Sequence, residues 1–383
     1  AMERLVHIQK RGAMPYYLKH HFDPDFNHLK RAPSEREDGR LDHYNLNYVQ
    51  NVLKGDLLAE WVEVPEADAS ELDQRFIYPK KLFPKGFRVE ADPENPDRLL
   101  AADDGYVFYD AGLIRVKKLL NVRQDVDFST GNVSFVSNMV VHGSVMPGFK
   151  VQAKNVLVRG NVDAGTVTAL ESIVCEGGVK GGDKGFLDAG KTVKLNWCER
   201  ALVHAGLNVL IDAHCLHSRL YAGRRLHVRG RFMGGTAFCH DFVCVEGGLG
   251  GPGEVETQLV LGYNPRLLYK DRLVIYSLRA LAERLRQYEM QAGRGKAAAE
   301  EYAPLMEDCR VRMRTYEDAR KRIWERITAG ERLDSCRVIA PGRVMPGVEI
   351  SIGPAYLFVD QEYENVHFRY EDGEIIVGSP ALA

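Results

Sequence analysis

The chain has 383 residues, 45% of them hydrophobic, and its 51 Lys and Arg nearly balance 53 Asp and Glu for a formal net charge of -2. That length can bury the cores of two or three structural units, and the balanced charge excludes a global field that would draw in nucleic acid. No apolar run of about eighteen residues occurs, so no integral membrane segment is expected. The opening "AMERLVHIQK" lacks the apolar centre of a secretory signal. The seven cysteines are odd in number and follow no framework spacing, which suits a reducing cytoplasm.

In chain order, residues 1–55 are polar, with "SERED" at 34–38, and are expected to form an irregular wrap or arm. Residues 56–120 alternate short apolar strands with turn signals, as in "LAADDGYVFYDAGLIRV", and predict a small β domain. Its "AADDGYV" is loosely similar to lipoyl or biotinyl carrier domains. Lys80, Lys81, Lys117 and Lys118 lack the flanking methionines of a biotin carrier, so carrier function is rejected.

Residues 121–262 carry an internal repeat. "LDAGKTVKL" from Leu187, "VHAGLNVLI" from Val203 and "LYAGRRLHV" from Leu220 share one template and start 16 and 17 residues apart. Upstream, "VHGSV", "VRGNV" and "CEGGV" place Gly143, Gly160 and Gly177 at one fixed step, and Val145, Val162 and Val179 keep it. Apolar alternation indicates strands with one buried face, and small residues between them indicate corners. A period of about seventeen is too short for a helix pair and fits one coil of a parallel β-helix, expected to be right-handed. Glycine at the corners supplies positive φ or admits a neighbouring coil. "GGVKGGDKG" and "GGLGGPGE" read as loops bulging from corners.

Residues 263–332 change period. Val274, Leu278, Leu281, Leu285 and Tyr288 form one heptad seam, and Met306, Cys309, Met313, Tyr316, Arg320, Ile323 and Ile327 form a second. Pro304 suits the first turn of the second helix, where its missing N–H is not needed. The two helices predict an inserted antiparallel coiled-coil hairpin, and its apolar seam makes a homodimer the expected assembly. Residues 333–383 return to β pattern. "VMPG" at 145–148 recurs at 344–347, so the chain is expected to rejoin the β-helix after the hairpin.

These stretches resemble the flagellar assembly protein A (FapA) family of bacterial proteins. The residues that carry the resemblance are "DDGYVFYDAGLIRV", "VDFSTGNVSF", the Val-x-Gly-x-Val ladder, "CEGGVKG" and "PGVEISIG", in the family's order. Met345 stands where an aromatic is common. The resemblance implies a mainly β protein: a parallel β-helix with a small N-terminal β domain and an inserted helical hairpin. It also implies a non-enzymatic scaffold linked to flagellar assembly or polar organisation, with protein partners and no catalytic residues or cofactors to carry over.

Chemistry-bearing patterns are sparse. "GLGGPG" fits a dinucleotide fingerprint in form, but "EVETQLVLG" after it reads as strand where a helix is required. His214, Cys215, His217, Cys239 and Cys244 suggest zinc, yet the repeat stacks Cys198 on Cys215 and puts Cys239 in an alanine column, where cysteine is a small apolar side chain. Between Ala213 and His240 there is no acidic residue, while Arg219, Arg224, Arg225, Arg229 and Arg231 and four histidines occur. This basic stripe is either ordinary solvated surface or a docking face for an acidic partner. The competing class is a β-helix enzyme. A hexapeptide acyltransferase would keep a six-residue period, and a carbohydrate-active enzyme would cluster acidic residues on one face; neither pattern is present.

Overall fold

The computed structural model describes residues 16–27, 34–35, 41–42, 46–64, 71–253, 255–327 and 333–381. The chain divides into two compact units, residues 1–176 and 177–383.

In the first unit, a five-stranded antiparallel sheet runs in the order Ile77–Tyr78, Tyr16–His20, Leu57–Glu63, Arg98–Ala101, Val89–Ala91. A three-stranded sheet joins Leu113–Lys117, Gly105–Asp110 and Asn51–Val52. Leu18, Leu58, Trp61, Phe76, Leu99 and Ile114 pack in their shared core. The irregular arm expected through residue 55 is corrected here, because Tyr16–His20 pairs on both edges and buries Leu18 completely. The polar composition of residues 1–55 hid this short strand, and Asn51–Val52 within the same stretch is paired as well. Residues 1–15, and residues 36–38 of "SERED", lie outside the described residues.

From residue 119 the unit coils. Leu119–Val122, Asn138–Val141, Asn155–Val158 and Ser172–Cys175 stack in parallel. A second face stacks Val133–Ser134 on Lys150–Ala153 on Thr166–Ala169, and bridges at Val126, Val145 and Val162 make a third. Period-two alternation turns Val122, Val141 and Val158 inward, and all three are solvent-free.

The second unit repeats this logic. Leu187, Val203, Leu220, Ala237, Leu259 and Ile350 form one inward column. Val193, Val209, Leu226, Val243 and Val338 form another. The alanine column reads Ala189, Ala205, Ala222, Cys239, Leu261, Ile352. Val179, Cys198, Cys215, Phe232, Leu249 and Val344 form a fourth. Cys198 therefore stacks on Cys215, as the spacing predicts. Within "GGVKGGDKG", the residues from Val179 on are not a loop but part of the strand Val179–Ala189, the extra residues absorbed as a bulge between Lys180 and Gly185.

Helix α1 (Pro265–Ala292) and helix α2 (Lys296–Ile327) follow the strand Thr257–Leu261. They run antiparallel, because Asp271 at the base of α1 meets Arg320 late in α2, while Tyr288 near the far end meets Tyr302 early in α2. Leu281, Cys309 and Ile327 of the two seams are buried. Pro304 does not open the second helix; it lies inside α2, on an exposed side. The run "KAAAEEYA" of strong helix formers extends α2 upstream despite one forfeited backbone bond.

The ends of the hairpin meet on one carbonyl: the Gly262 N–H and the Cys336 thiol both donate to His240 O, at 3.1 and 3.3 Å. Arg337–Val344 then runs parallel to Phe242–Val245 and Gly248–Leu249, so the chain rejoins its own stack. The two VMPG segments are equivalent corners. The Met146 N–H donates to Val126 O and the Met345 N–H to Leu249 O, one coil back in each case, and Gly148 and Gly347 turn at φ +84° and +89°. Antiparallel pairing of Arg337–Val344 with Tyr363–Glu371, and of Val348–Ile352 with Ala355–Phe358, ends the parallel ladder.

The ladder glycines serve another purpose. A Cβ on Gly160 would lie 2.6 Å from Gly143 O, and one on Gly223 only 1.9 Å from Gly206 O. Neither has positive φ, so the requirement is close approach of adjacent coils. Gly223→Ala is therefore expected to destabilise by about 1–3 kcal/mol, since both clashing groups are backbone and cannot yield. Gly293→Ala, with φ -64° and nothing nearer than 3.5 Å, serves as the tolerated control. Equal urea midpoints for the two variants would contradict the close-approach account.

Candidate functional site

Strand alternation in the second unit leaves an outward column of Asp188, His204, Tyr221 and Phe238 on adjacent coils. Aromatic side chains on a solvated sheet face need a cover, and the first turns of α1 supply it. Asn264 caps the helix, its side chain accepting from the Arg266 and Leu267 N–H groups, and Pro265 takes the first turn. Tyr269 then stacks on His204 at 5.6 Å between ring centroids and meets Tyr221 edge-on at 5.2 Å. Tyr221 stacks on Phe238 at 4.7 Å. His204, buried beneath this roof, has Nδ1 2.6 Å from Asp188 Oδ1. Asp188 and His204 have the form of an acid–base pair, and Tyr269 covers the imidazole, which is buried.

Two residues on, Asp271 is 6% exposed. Its Oδ1 accepts from Arg320 Nε and Trp324 Nε1, both at 2.9 Å, which ties the base of α1 to the end of α2. Leu278, Glu317, Arg320, Lys321 and Trp324 line an open groove of about 500 Å³ on the hairpin. Leu273, Tyr276, Met290, Leu305, Val311 and Trp324 are exposed apolar side chains of the hairpin.

The five arginines do not share one face. Arg219 lies on the strand Cys215–Ala222 under α1, near Tyr276 and Arg272; burial and the Arg272 charge hold its guanidinium below the usual range. Arg224 and Arg225 sit at the next corner, and Arg229 and Arg231 flank the corner after the strand Arg225–Val228. The absence of acids between Ala213 and His240 is offset across coils. Arg229 Nη1 is 3.1 Å from Asp212, Arg224 Nε is 3.4 Å from Asp241, and Lys194 Nζ is 3.4 Å from the same Asp212. Sequence reading missed these partners because they lie just outside the acid-free window, one coil away. Among the described residues no ion pair engages Arg225 or Arg231, and both are exposed.

The histidines and cysteines separate likewise. Cys215 and Cys239 point into the core, and His214 stacks on Trp197 at 5.9 Å. Cys244 instead lies outward, beside His227 and Glu246. Burial and the Glu246 charge push its thiol up to about 11. The fingerprint-like "GLGGPG" leads into the strand Thr257–Leu261 and not into a helix. Among the described residues, no helix is long and apolar enough to cross a membrane.

Burial pushes the Cys239 thiol up to about 12 from an ordinary 9.0. The unfolded chain loses that proton first, so this contribution is intact below about pH 9 and is lost as pH rises toward 12. Cys239→Ala is expected to cost about 1 kcal/mol at neutral pH. It should also flatten the alkaline fall in stability by up to about 1.4 kcal/mol per pH unit. Urea midpoints of wild type and variant from pH 8 to 10.5 check this, and parallel curves would refute it.

A family model for the flagellar assembly protein A β-solenoid domain matches residues 118–375, about two thirds of the chain. Neither the curated proteins nor the solved structures gave a match to the chain. The parallel coils with their stacked columns fall within the matched span, as does the helical hairpin between coils; the chain belongs to the flagellar assembly protein A β-solenoid family.

Proposed function

We propose that this protein is a non-enzymatic scaffold in flagellar assembly or polar organisation, working in the cytoplasm as a homodimer and holding partner proteins on its helical hairpin. The observation that carries this reading is a contrast between surfaces. Several outer charges of the coils are engaged coil to coil, as at Arg229–Asp212 and Arg224–Asp241. The hairpin, braced at its base by Tyr269 and Asp271, carries exposed Leu273, Met290, Val311 and Trp324. An exposed apolar set on a rigid projecting element is a surface for protein contact. Family membership supports the flagellar setting. The five arginines belong to the same proposal as a secondary contact, with Arg225 and Arg231 foremost because they are free of ion pairs among the described residues.

The test separates the base of the hairpin from its far part. Deleting residues 266–332 would strip Tyr269 from the aromatic column and expose it. Replacing residues 282–313 with a short Gly-Ser linker keeps that roof and the Asp271 contacts. The shortened protein is expected to unfold cooperatively, to sediment as a monomer, and to lose the partners that wild type captures from lysate. Arg225→Glu with Arg231→Glu should weaken capture several-fold, more so as salt rises. Unchanged partners and unchanged sedimentation after removal of 282–313 would sink the proposal.

A further inference from the structure

The parallel register sets His227, on the strand Arg225–Val228, directly opposite Cys244, on the strand Phe242–Val245. Glu246 follows Cys244 by two residues, the spacing that returns a side chain to the same face of an extended segment. The imidazole nitrogen, the thiol sulfur and the carboxylate oxygen all lie within 4.8 Å of one another. We propose that His227, Cys244 and Glu246 bind a zinc-type divalent ion, a site distinct from the hairpin surface.

Three physical points support it. A tetrahedral ion bound at about 2.0–2.3 Å holds its ligand atoms roughly 3.3–3.8 Å apart. The present spacing therefore needs only small side-chain rotations, chiefly an opening of the 2.5 Å contact between His227 Nε2 and Glu246 Oε1. The backbone is already fixed, because Leu226, Val228, Val243 and Val245 anchor the same two strands from within at 0% exposure. Finally, a nitrogen–sulfur–oxygen donor set selects zinc, cobalt or nickel over the hard cations magnesium and calcium.

Glu246 is exposed, so the fourth position of such an ion is open to solvent. A cavity of about 70 Å³, lined by Lys194, Leu210, Ile211, Asp212, His227 and Arg229, lies on the other flank of His227, toward the preceding coil. Asp212 contacts both Lys194 and Arg229, so the nearby positive charges are partly neutralised and repel an incoming cation less. Three protein ligands with one open position is the pattern of an exchangeable, not a sealed, ion site.

Cobalt(II) makes the test specific for sulfur. The full chain, stripped of metal and kept reduced, is titrated with cobalt chloride and then with zinc chloride in competition. The expected result is one equivalent of cobalt with a thiolate-to-cobalt charge-transfer band and tetrahedral visible bands, both displaced by zinc. Cys244→Ser should abolish the charge-transfer band, and His227→Gln and Glu246→Gln should each weaken binding at least tenfold. Thermal unfolding of each variant verifies its fold, and the two glutamine variants carry the test if the serine variant misfolds. No cobalt uptake at micromolar protein, or a thiolate band that survives all three substitutions, overturns the proposal.

Discussion

Parallel pairing of one coil with the next is the constraint on which the solenoid depends. Strands in a sheet lie about 4.7–4.9 Å apart, and a coil can hold that spacing along its perimeter only where nothing intervenes at the corners. Hence Gly206 under Gly223, and Gly143 under Gly160, where a methyl group would meet a carbonyl oxygen. Once the spacing is held, residues about seventeen apart become neighbours. Like side chains then stack, with Val193, Val209, Leu226 and Val243 fully buried in one column.

The same register governs the outside. It brings Asp212 to Arg229 and Asp241 to Arg224, making local charge runs into cross-coil pairs. Exposed pairs of this kind contribute little to stability, about 0–1 kcal/mol each. Their larger effect is on recognition: a paired guanidinium is a weaker lure for an acidic partner than a free one. Register also assembles groups that no local motif announces, such as His227 with Cys244 and Asp188 with His204.

A ladder of parallel strands leaves open edges, which invite association with other chains. In the second unit the chain ends its ladder by reversing direction, with antiparallel Tyr363–Glu371 and Ala355–Phe358 covering the last parallel strands. The helical hairpin leaves and re-enters just before this closure. Its base belongs energetically to the solenoid, since Tyr269 roofs His204 and Tyr221, while farther along Tyr288 of α1 packs on Tyr302 of α2. That division lets one element be both anchored and presented.

Much of this architecture was legible because repeated coils write their geometry as period. Alternating Val and Leu fixed the strands, the seventeen-residue step aligned Cys198 with Cys215, and the second VMPG marked the return to the stack. Two local readings failed for local reasons. Tyr16–His20 was masked by polar neighbours, and Pro304 was overruled by the helix formers before it. For the basic stripe the sequence lacked spatial information: composition counts charges along the chain, whereas electrostatics acts through space, and the aspartates that pair with Arg224 and Arg229 lie one coil away. The sequence by itself determined the coil, its columns and the existence of the hairpin, because those are periodic and the period is set by backbone geometry. Only the tertiary structure decided which face α1 covers, which arginines are paired, and that Cys244 joins His227 and Glu246, because each depends on side chains converging from separate coils.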